Sequence, residues 1–183
     1  HRRKFPGMTL QLRDVNQSDA QRLLLKQEVD VAITEAEGAT PSGIKSSVLI
    51  TLPLVLLVPA DHPATTARQL WKRADPAETL ISLPADEVIS KLFQQGLDRL
   101  RVKWTTGIEV SSLDLLAAYV GAGFGIGVSV LAPGAKPPPK VKALPLPSFE
   151  PLVIAALWKE PLPPLAKSFL DEALRHAQEL RRG

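Results

Sequence analysis

Glu109-Val-Ser-Ser-Leu-Asp-Leu-Leu-Ala-Ala-Tyr-Val-Gly-Ala-Gly-Phe-Gly-Ile-Gly-Val128 carries, in order, a strand end, a helix start, an amphipathic helix, a glycine-rich turn and a second strand. Ser111 and Asp114 form an S-x-x-D capping box, so the spacing predicts that a helix starts there. Leu113, Leu116, Ala117 and Val120 fall at helical spacing and supply its apolar side. Gly121 or Gly123 can take the left-handed conformation that ends a helix. Such a unit gathers free backbone N–H groups and hydroxyls at the helix N-terminus, where anions are favoured. It points to a small-molecule binding lobe.

Elements of the same kind extend outward from it. Met8 to Val15 alternates apolar and polar residues, which predicts a half-exposed strand. Ser18 and Gln21 give a second capping box, for a helix running to about Gln27 with Leu23, Leu24 and Leu25 on its buried side. With a strand over Val29–Ile33, residues 8–33 read as a parallel βαβ unit. One or two strands follow within Ile44–Val58, with Pro53 marking a bend or edge. The pattern then predicts a short helix over Ala64–Arg73, a strand over Leu80–Leu83 and a helix over Asp86–Leu100. Strands are predicted at Thr106–Val110, Gly125–Val130, Val141–Leu146 and Leu152–Trp158. A long helix over Pro163–Leu180 follows, with Leu165, Phe169, Ala173 and Ala177 on one face. The alternation indicates an α/β architecture with parallel sheets.

Composition narrows the function classes. Lys and Arg exceed Asp and Glu by 22 to 19, too mild an imbalance to argue nucleic-acid binding. The basic clusters Arg2-Arg3-Lys4, Lys136–Lys142 and Arg181-Arg182 read as solvated surface and termini. The lack of cysteine excludes disulfides, thiolate zinc sites and a cysteine nucleophile, and fits a cytoplasmic location. The basic N-terminus has no apolar stretch of a signal peptide, and the run Val48–Ala60 is broken by Thr51, Pro53 and Pro59, so no membrane span is expected. Prolines concentrate in 133–147 and 161–164, which read as loops.

Catalytic patterns are weak. His1, His62 and His176 share no metal-ligand spacing, and the last two read as surface residues; no metal or cofactor is implied. Gly127-Val-Ser-Val-Leu131 lacks the second glycine of a nucleophile elbow. The glycines of 121–127 follow a helix and open a strand, the reverse of a dinucleotide fingerprint, and are read as allowing close packing or backbone approach to a ligand. Adjacent carboxylates at Asp86-Glu87 and Asp171-Glu172 point apart on a helix and make no acid–base dyad.

Several segments together carry a resemblance. They are Phe5-Pro-Gly-Met-Thr-Leu-Gln-Leu12, Leu23-Leu-Leu-Lys-Gln-Glu-Val-Asp-Val-Ala-Ile33 and Leu54-Val-Leu-Leu-Val-Pro-Ala-Asp-His-Pro63. Val110 to Gly127 follows, and then Leu152-Val-Ile-Ala-Ala-Leu-Trp-Lys-Glu-Pro-Leu-Pro-Pro-Leu-Ala-Lys-Ser-Phe-Leu170. In this order the chain resembles the effector-binding domain of LysR-type transcriptional regulators. The resemblance implies an α/β fold of the type 2 periplasmic-binding-protein kind, two Rossmann-like lobes with a cleft between them. Residues 1–57 and 147–183 would form lobe I and residues 58–146 lobe II. The winged helix-turn-helix that contacts DNA would be absent from this chain, and the first strand of lobe I would be missing before His1.

A small-molecule effector, such as an organic acid, would bind between the lobes and alter the geometry of a dimer or tetramer on DNA. Contacts between copies would use the edges of both lobes. No catalytic role is implied. By position, the resemblance puts Asn16, Gln17, Ser18 and Thr34 at the effector from lobe I. It puts Pro84, Ala85, Ser111, Ser112, Gly123 and Phe124 there from lobe II. The alternatives are a stand-alone solute-binding protein and an enzyme on the same two-lobed scaffold.

Overall fold

Pro53 separates two strands that enter different sheets: β2, Lys45–Leu52, and β3, Leu54–Pro59. Without an N–H, proline cannot carry a central ladder onward, so it sits naturally at this junction. In the computed structural model, which describes residues 9, 11–15, 17–36, 38, 40–71, 77–132 and 134–180, the chain divides into two compact units. Unit 1 comprises His1–Thr51 with Val153–Gly183, and unit 2 comprises Leu52–Leu152. The basic clusters at 2–4 and 181–182, and His1 and Asn16, lie outside the described residues.

Unit 1 holds a three-stranded sheet in the order β1-β8-β2, where β1 is Val31–Glu35 and β8 is Leu152–Trp158. β1 and β8 run antiparallel, with Val31 opposite Trp158 and Thr34 opposite Ala155. Alternation along β8 splits its side chains between two cores. Ala156 joins Leu49, Leu170 and Ala177, with Trp158, Val31, Ala173 and Leu174 packed alongside. Leu157 joins Leu24 and Ile44, with Val29 and Ala32. The sheet is thereby sandwiched between α4, Pro164–Leu180, and α1, Gln17–Leu25.

Three expectations are corrected here. Residues 9 and 11–15 form no strand, and Leu12 is 83% exposed. Alternation makes a strand only where a neighbour accepts its hydrogen bonds, and β1 and β8 pair elsewhere. Helix α1 begins at Gln17, so Ser18 lies within its first turn and the capping box with Gln21 does not form; Leu23 and Leu24 are buried but Leu25 is exposed. On α4, Ala173 and Ala177 face the core as expected, together with Leu170 and Leu174, and Phe169 is half-buried; only Leu165, near the helix start, departs from that face by being exposed.

Unit 2 holds a five-stranded sheet in the order β5-β4-β6-β3-β7. The remaining strands are β4, Leu80–Ser82; β5, Thr106–Glu109; β6, Ile126–Val130; and β7, Val141–Pro145. Its helices are α2, Val88–Leu100, and α3, Leu113–Gly121. β4 runs parallel to β5 and β6, but β3 runs antiparallel to β6 and β7. The sheets are therefore mixed, not parallel. Every residue from Leu54 to Val58 is buried, and such a continuous apolar run reads alike in either direction, so it does not encode strand polarity.

Of the helix expected over Ala64–Arg73, the described residues 64–71 form only one 3-10 turn, Ala67–Gln69, where the Gln69 side chain accepts from the Thr65 and Thr66 backbone. Phe93 of α2 stacks on Phe149 with ring centres 5.5 Å apart, and Phe149 in turn meets Trp71.

Candidate functional site

The chain crosses from β4 to β5 through α2, then from β5 back past β4 to β6 through α3. Right-handed crossovers taken in opposite directions place the two helices on opposite faces of the sheet. The loops leaving the carboxyl ends of β4 and β5 therefore part to opposite sides, which opens a crevice at that edge. In doubly wound sheets this switch point is where ligands bind.

Pro84 and Ala85 follow β4, and Ser111 and Ser112 follow β5. Ser82 lies opposite Glu109, and the Val110 N–H donates to the Ser82 carbonyl at 3.0 Å, so the two loops leave the sheet side by side. Glu87 closes the first turn onto the Pro84 carbonyl at 3.0 Å and is the N-cap of α2, with no side-chain bond to the helix. Ala85, Ser111 and Ser112 are exposed. Four of the predicted site residues thus share one edge beside two helix N-termini.

The α3 cap differs by one residue from expectation. Ser112, not Ser111, is the N-cap, and its Oγ accepts the Leu115 N–H at 3.2 Å. Asp114 then falls one position short of where a box needs its carboxylate, and instead sits in the first turn, where its charge suits the helix dipole. Ser111 precedes the cap, exposed and outside the helix.

Gly123 and Phe124 do not join these residues. They lie past the far end of α3, which by its nine residues is about 13 Å long, just before β6 enters the sheet at the opposite edge. Gly123 has φ +82°, the left-handed conformation that ends the helix. Phe124 is 57% exposed and packs edge-on against Tyr119. The rest of the glycine run serves packing: a Cβ on Gly127 would stand 2.3 Å from Leu116 Cδ2 of α3.

In unit 1, Gln17 and Ser18 open α1, and Thr34 lies within β1 rather than after it. Thr34 is buried, with its Oγ1 3.4 Å from Glu35 Oε2. β1 packs back along α1, so by rise per residue Thr34 returns to roughly the level of the first turn. Of these residues only Ser18 presents an exposed described side chain.

Other candidate chemistry resolves into structure. His62, expected at the surface, is largely covered: its Nδ1 accepts the Ala64 N–H at 3.1 Å, and its carbonyl accepts from Lys142 Nζ. His176 is exposed beside Glu179. Among the described residues no three His, Cys, Asp or Glu side chains gather as a metal site would need.

Composition and pattern missed a row of hydroxyls beneath the β4 loop. Ser82 Oγ lies 2.8 Å from Thr106 Oγ1 and 3.0 Å from the Leu83 carbonyl, to which Ser90 Oγ also donates at 2.9 Å. The available signal was a serine inside the apolar strand Leu80–Leu83, and another on the helix face shared by Phe93 and Leu97.

Comparison with known proteins places this geometry. The chain is 27% identical over 125 residues to the transcriptional activator protein LysR of Escherichia coli (strain K12), a match covering 68% of this chain and 40% of that protein. The chain therefore spans well under two thirds of that relative's length. The regulatory domain of CcmR from Synechocystis PCC6803, solved in complex with 2-PG, superimposes with a TM-score of 0.76 at 19% identity, covering 96% of this chain and 86% of that one. The effector-binding domain of BenM, solved with its effector benzoate, gives 0.72 at 18%, covering 96% and 81%. These likenesses establish the fold as that of LysR effector-binding domains, the type 2 periplasmic-binding-protein-like α/β fold. A family model described as the LysR substrate binding domain matches residues 1–178, and the chain belongs to that family.

Proposed function

We propose that the chain is the effector-sensing regulatory domain of a LysR-type transcriptional regulator, without catalytic activity, acting in the cytoplasm. A small metabolite bound by the domain would favour one of its conformations over another. That preference would change how copies associate as dimers or tetramers on DNA. DNA itself would be contacted by a separate winged helix-turn-helix domain. On this reading unit 1 contributes Asn16, Gln17, Ser18 and Thr34. Unit 2 contributes Pro84, Ala85, Ser111 and Ser112, while Gly123 and Phe124 stand apart from the edge that carries the argument.

The observation that carries the reading is the switch point between β4 and β5, where the α2 and α3 N-termini and the Ser111 and Ser112 hydroxyls meet. Exposed N–H groups there favour the carboxylate of an organic acid. Asp86, Glu87, Glu109 and Asp114 are also exposed around the same loops, and residues 83–87 and 109–115 hold no basic side chain. Two helix termini offer roughly half a positive charge each, which four carboxylates outweigh. Each further negative charge on a ligand is therefore penalised, which ranks a zwitterion or a monoanion held at the N–H groups above a polyanion.

A thermal-shift screen of the chain against monocarboxylates, amino acids and di- and tricarboxylates tests this. A binder present at a hundred times its Kd should stabilise the fold by about 2.7 kcal/mol. The ligand-induced shift should shrink in Ser112→Ala after allowance for the lower starting Tm. A response confined to polyanions, or one unchanged in Ser112→Ala, would overturn the assignment.

A further inference from the structure

Between α2 and strands β4 and β5 lies an open recess of about 230 Å³, with the buried Ser82, Ser90 and Phe93 and the half-buried Gln94 in its walls and the exposed Ala85, Thr105 and Thr106 at its mouth. It exists because small side chains stand where large ones would close the layer. Ser90 shares its helix face with Ile89, Phe93 and Leu97, and Ser82 sits between Ile81 and Leu83. The recess opens to solvent on the side of Ala85, Thr105 and Thr106, so water fills it until a ligand that matches its walls displaces that water.

The hydrogen bonds say what kind. Ser82 and Ser90 are 4% and 5% exposed, and each can donate its one proton to the Leu83 carbonyl. With the Ser82 proton so used, Thr106 must be the donor across the 2.8 Å contact between their hydroxyls. All three hydroxyl protons are then committed, and what the row still offers is lone pairs. Gln94 Nε2 donates to the Trp104 carbonyl at 3.3 Å and keeps a second N–H. None of these side chains is charged, so an ion that gives up part of its hydration against them finds no counter-charge in return. Phe93 and Ala85 supply apolar surface. The volume falls below the roughly 300–1,000 Å³ of pockets for drug-sized ligands.

We propose that this recess binds a small uncharged molecule carrying an O–H or N–H donor and an apolar face, no larger than a single substituted six-membered ring. The site lies within unit 2 and stands whether or not the effector reading does.

The test is an NMR titration of the ¹⁵N-labelled 183-residue chain at neutral pH with phenol, whose hydroxyl is protonated and donates. Benzoate, the same ring with an acceptor-only carboxylate, is run in parallel. Phenol should move the amide resonances of Ser82, Ser90, Gln94 and Thr106 saturably, and benzoate should leave these four in place. Ser90→Ala keeps the space, leaves the Leu83 carbonyl served by Ser82, and should weaken phenol binding about fivefold through one lost hydrogen bond. Ser90→Leu fills the recess and should abolish the response; if that variant loses its dispersed spectrum, Ser90→Ala decides. An equal response to benzoate, phenol shifts confined to Ser111 and Ser112, no saturable shift, or unchanged affinity in Ser90→Ala would each overturn the proposal.

Discussion

The two units bury their sheets to different depths. In unit 2, β3 contributes five consecutive buried residues, and Leu54, Leu56 and Val58 are wholly sequestered. In unit 1 the central strand β8 buries three residues in a row, Ala155, Ala156 and Leu157, two of them small, and its neighbours are shallower still: β1 buries only the polar Thr34, and Ile33 and Val48 are exposed. A strand gains stability from the apolar area its neighbours remove from water, about 25 cal/mol per Å², so unit 2 carries the larger share of the fold's cohesion. The candidate site follows that contrast. Pro84, Ala85, Ser111 and Ser112 stand on the more deeply buried sheet, and a site carried by well-packed elements is held in geometry at little cost in ligand-induced ordering.

The same truncation made in both units tests the contrast most directly. Leu56→Ala, at the centre of the five-stranded sheet, should cost about 4 kcal/mol, and Leu24→Ala, on the α1 side of the smaller sheet, about 2–3 kcal/mol, both read from urea denaturation. Equal losses would mean that the two units are equally well packed. Native-state hydrogen exchange should agree, with the amides of Leu56 and Leu57 opening only with global unfolding and those of Ala32 and Ile33 exchanging through smaller openings.

Gly96→Val probes the aromatic stack that fastens α2 to unit 2. A Cβ there would stand 2.0 Å from Phe149 Cδ1, so the ring must leave its place on Phe93. The expected loss is about 1–3 kcal/mol, with changed tryptophan fluorescence because Trp71 and Trp104 border the two rings. Ser112→Ala should lower stability by about 1 kcal/mol through the lost α3 cap, whereas Ser111→Ala should change it little. The reverse ranking in thermal melts would restore the cap to Ser111.

The smallest effect belongs to unit 1. The Lys45 ammonium, 2.9 Å from Glu160, donates a hydrogen bond to its carboxylate and attracts it, which holds that carboxyl below its ordinary value of 4.5. A depressed acid contributes stability that is present above 4.5 and is lost as pH falls through its folded-state pKa. Lys45→Gln should therefore cost a little stability above pH 4.5, make no difference well below the folded-state pKa, and return the Glu160 titration, followed by carboxyl NMR, toward 4.5. A Glu160 titration that does not move would show the pair to be inert.

Much of the molecule was legible in its residues. The order of strands and helices from Leu80 to Val130 follows from apolar periodicity and the glycine-rich turn, because these are local properties of the chain. Caps were legible only to within a residue. Ser111 and Ser112 are chemically equivalent, and the strand pairing that brings Val110 onto Ser82 fixes which of them meets the helix. The segment from 11 to 15 had a strand's pattern without a neighbour to complete it, and Ser18 had a cap's identity inside a helix that starts earlier.

By itself, then, the sequence determined the inventory: which segments are helical or extended, where prolines and glycines break them, and the absence of thiol chemistry. Tertiary structure decided the polarity of β3, the sharing of one sheet edge by Pro84, Ala85, Ser111 and Ser112, and the standing of Gly123 and Phe124 at the other. It also gathered Ser82, Ser90 and Thr106, distant in sequence, into one hydroxyl row. The reason is physical. Periodicity records how much of each residue is buried, whereas strand order and crossover direction record which neighbour buries it, and only the second fixes where functional groups meet.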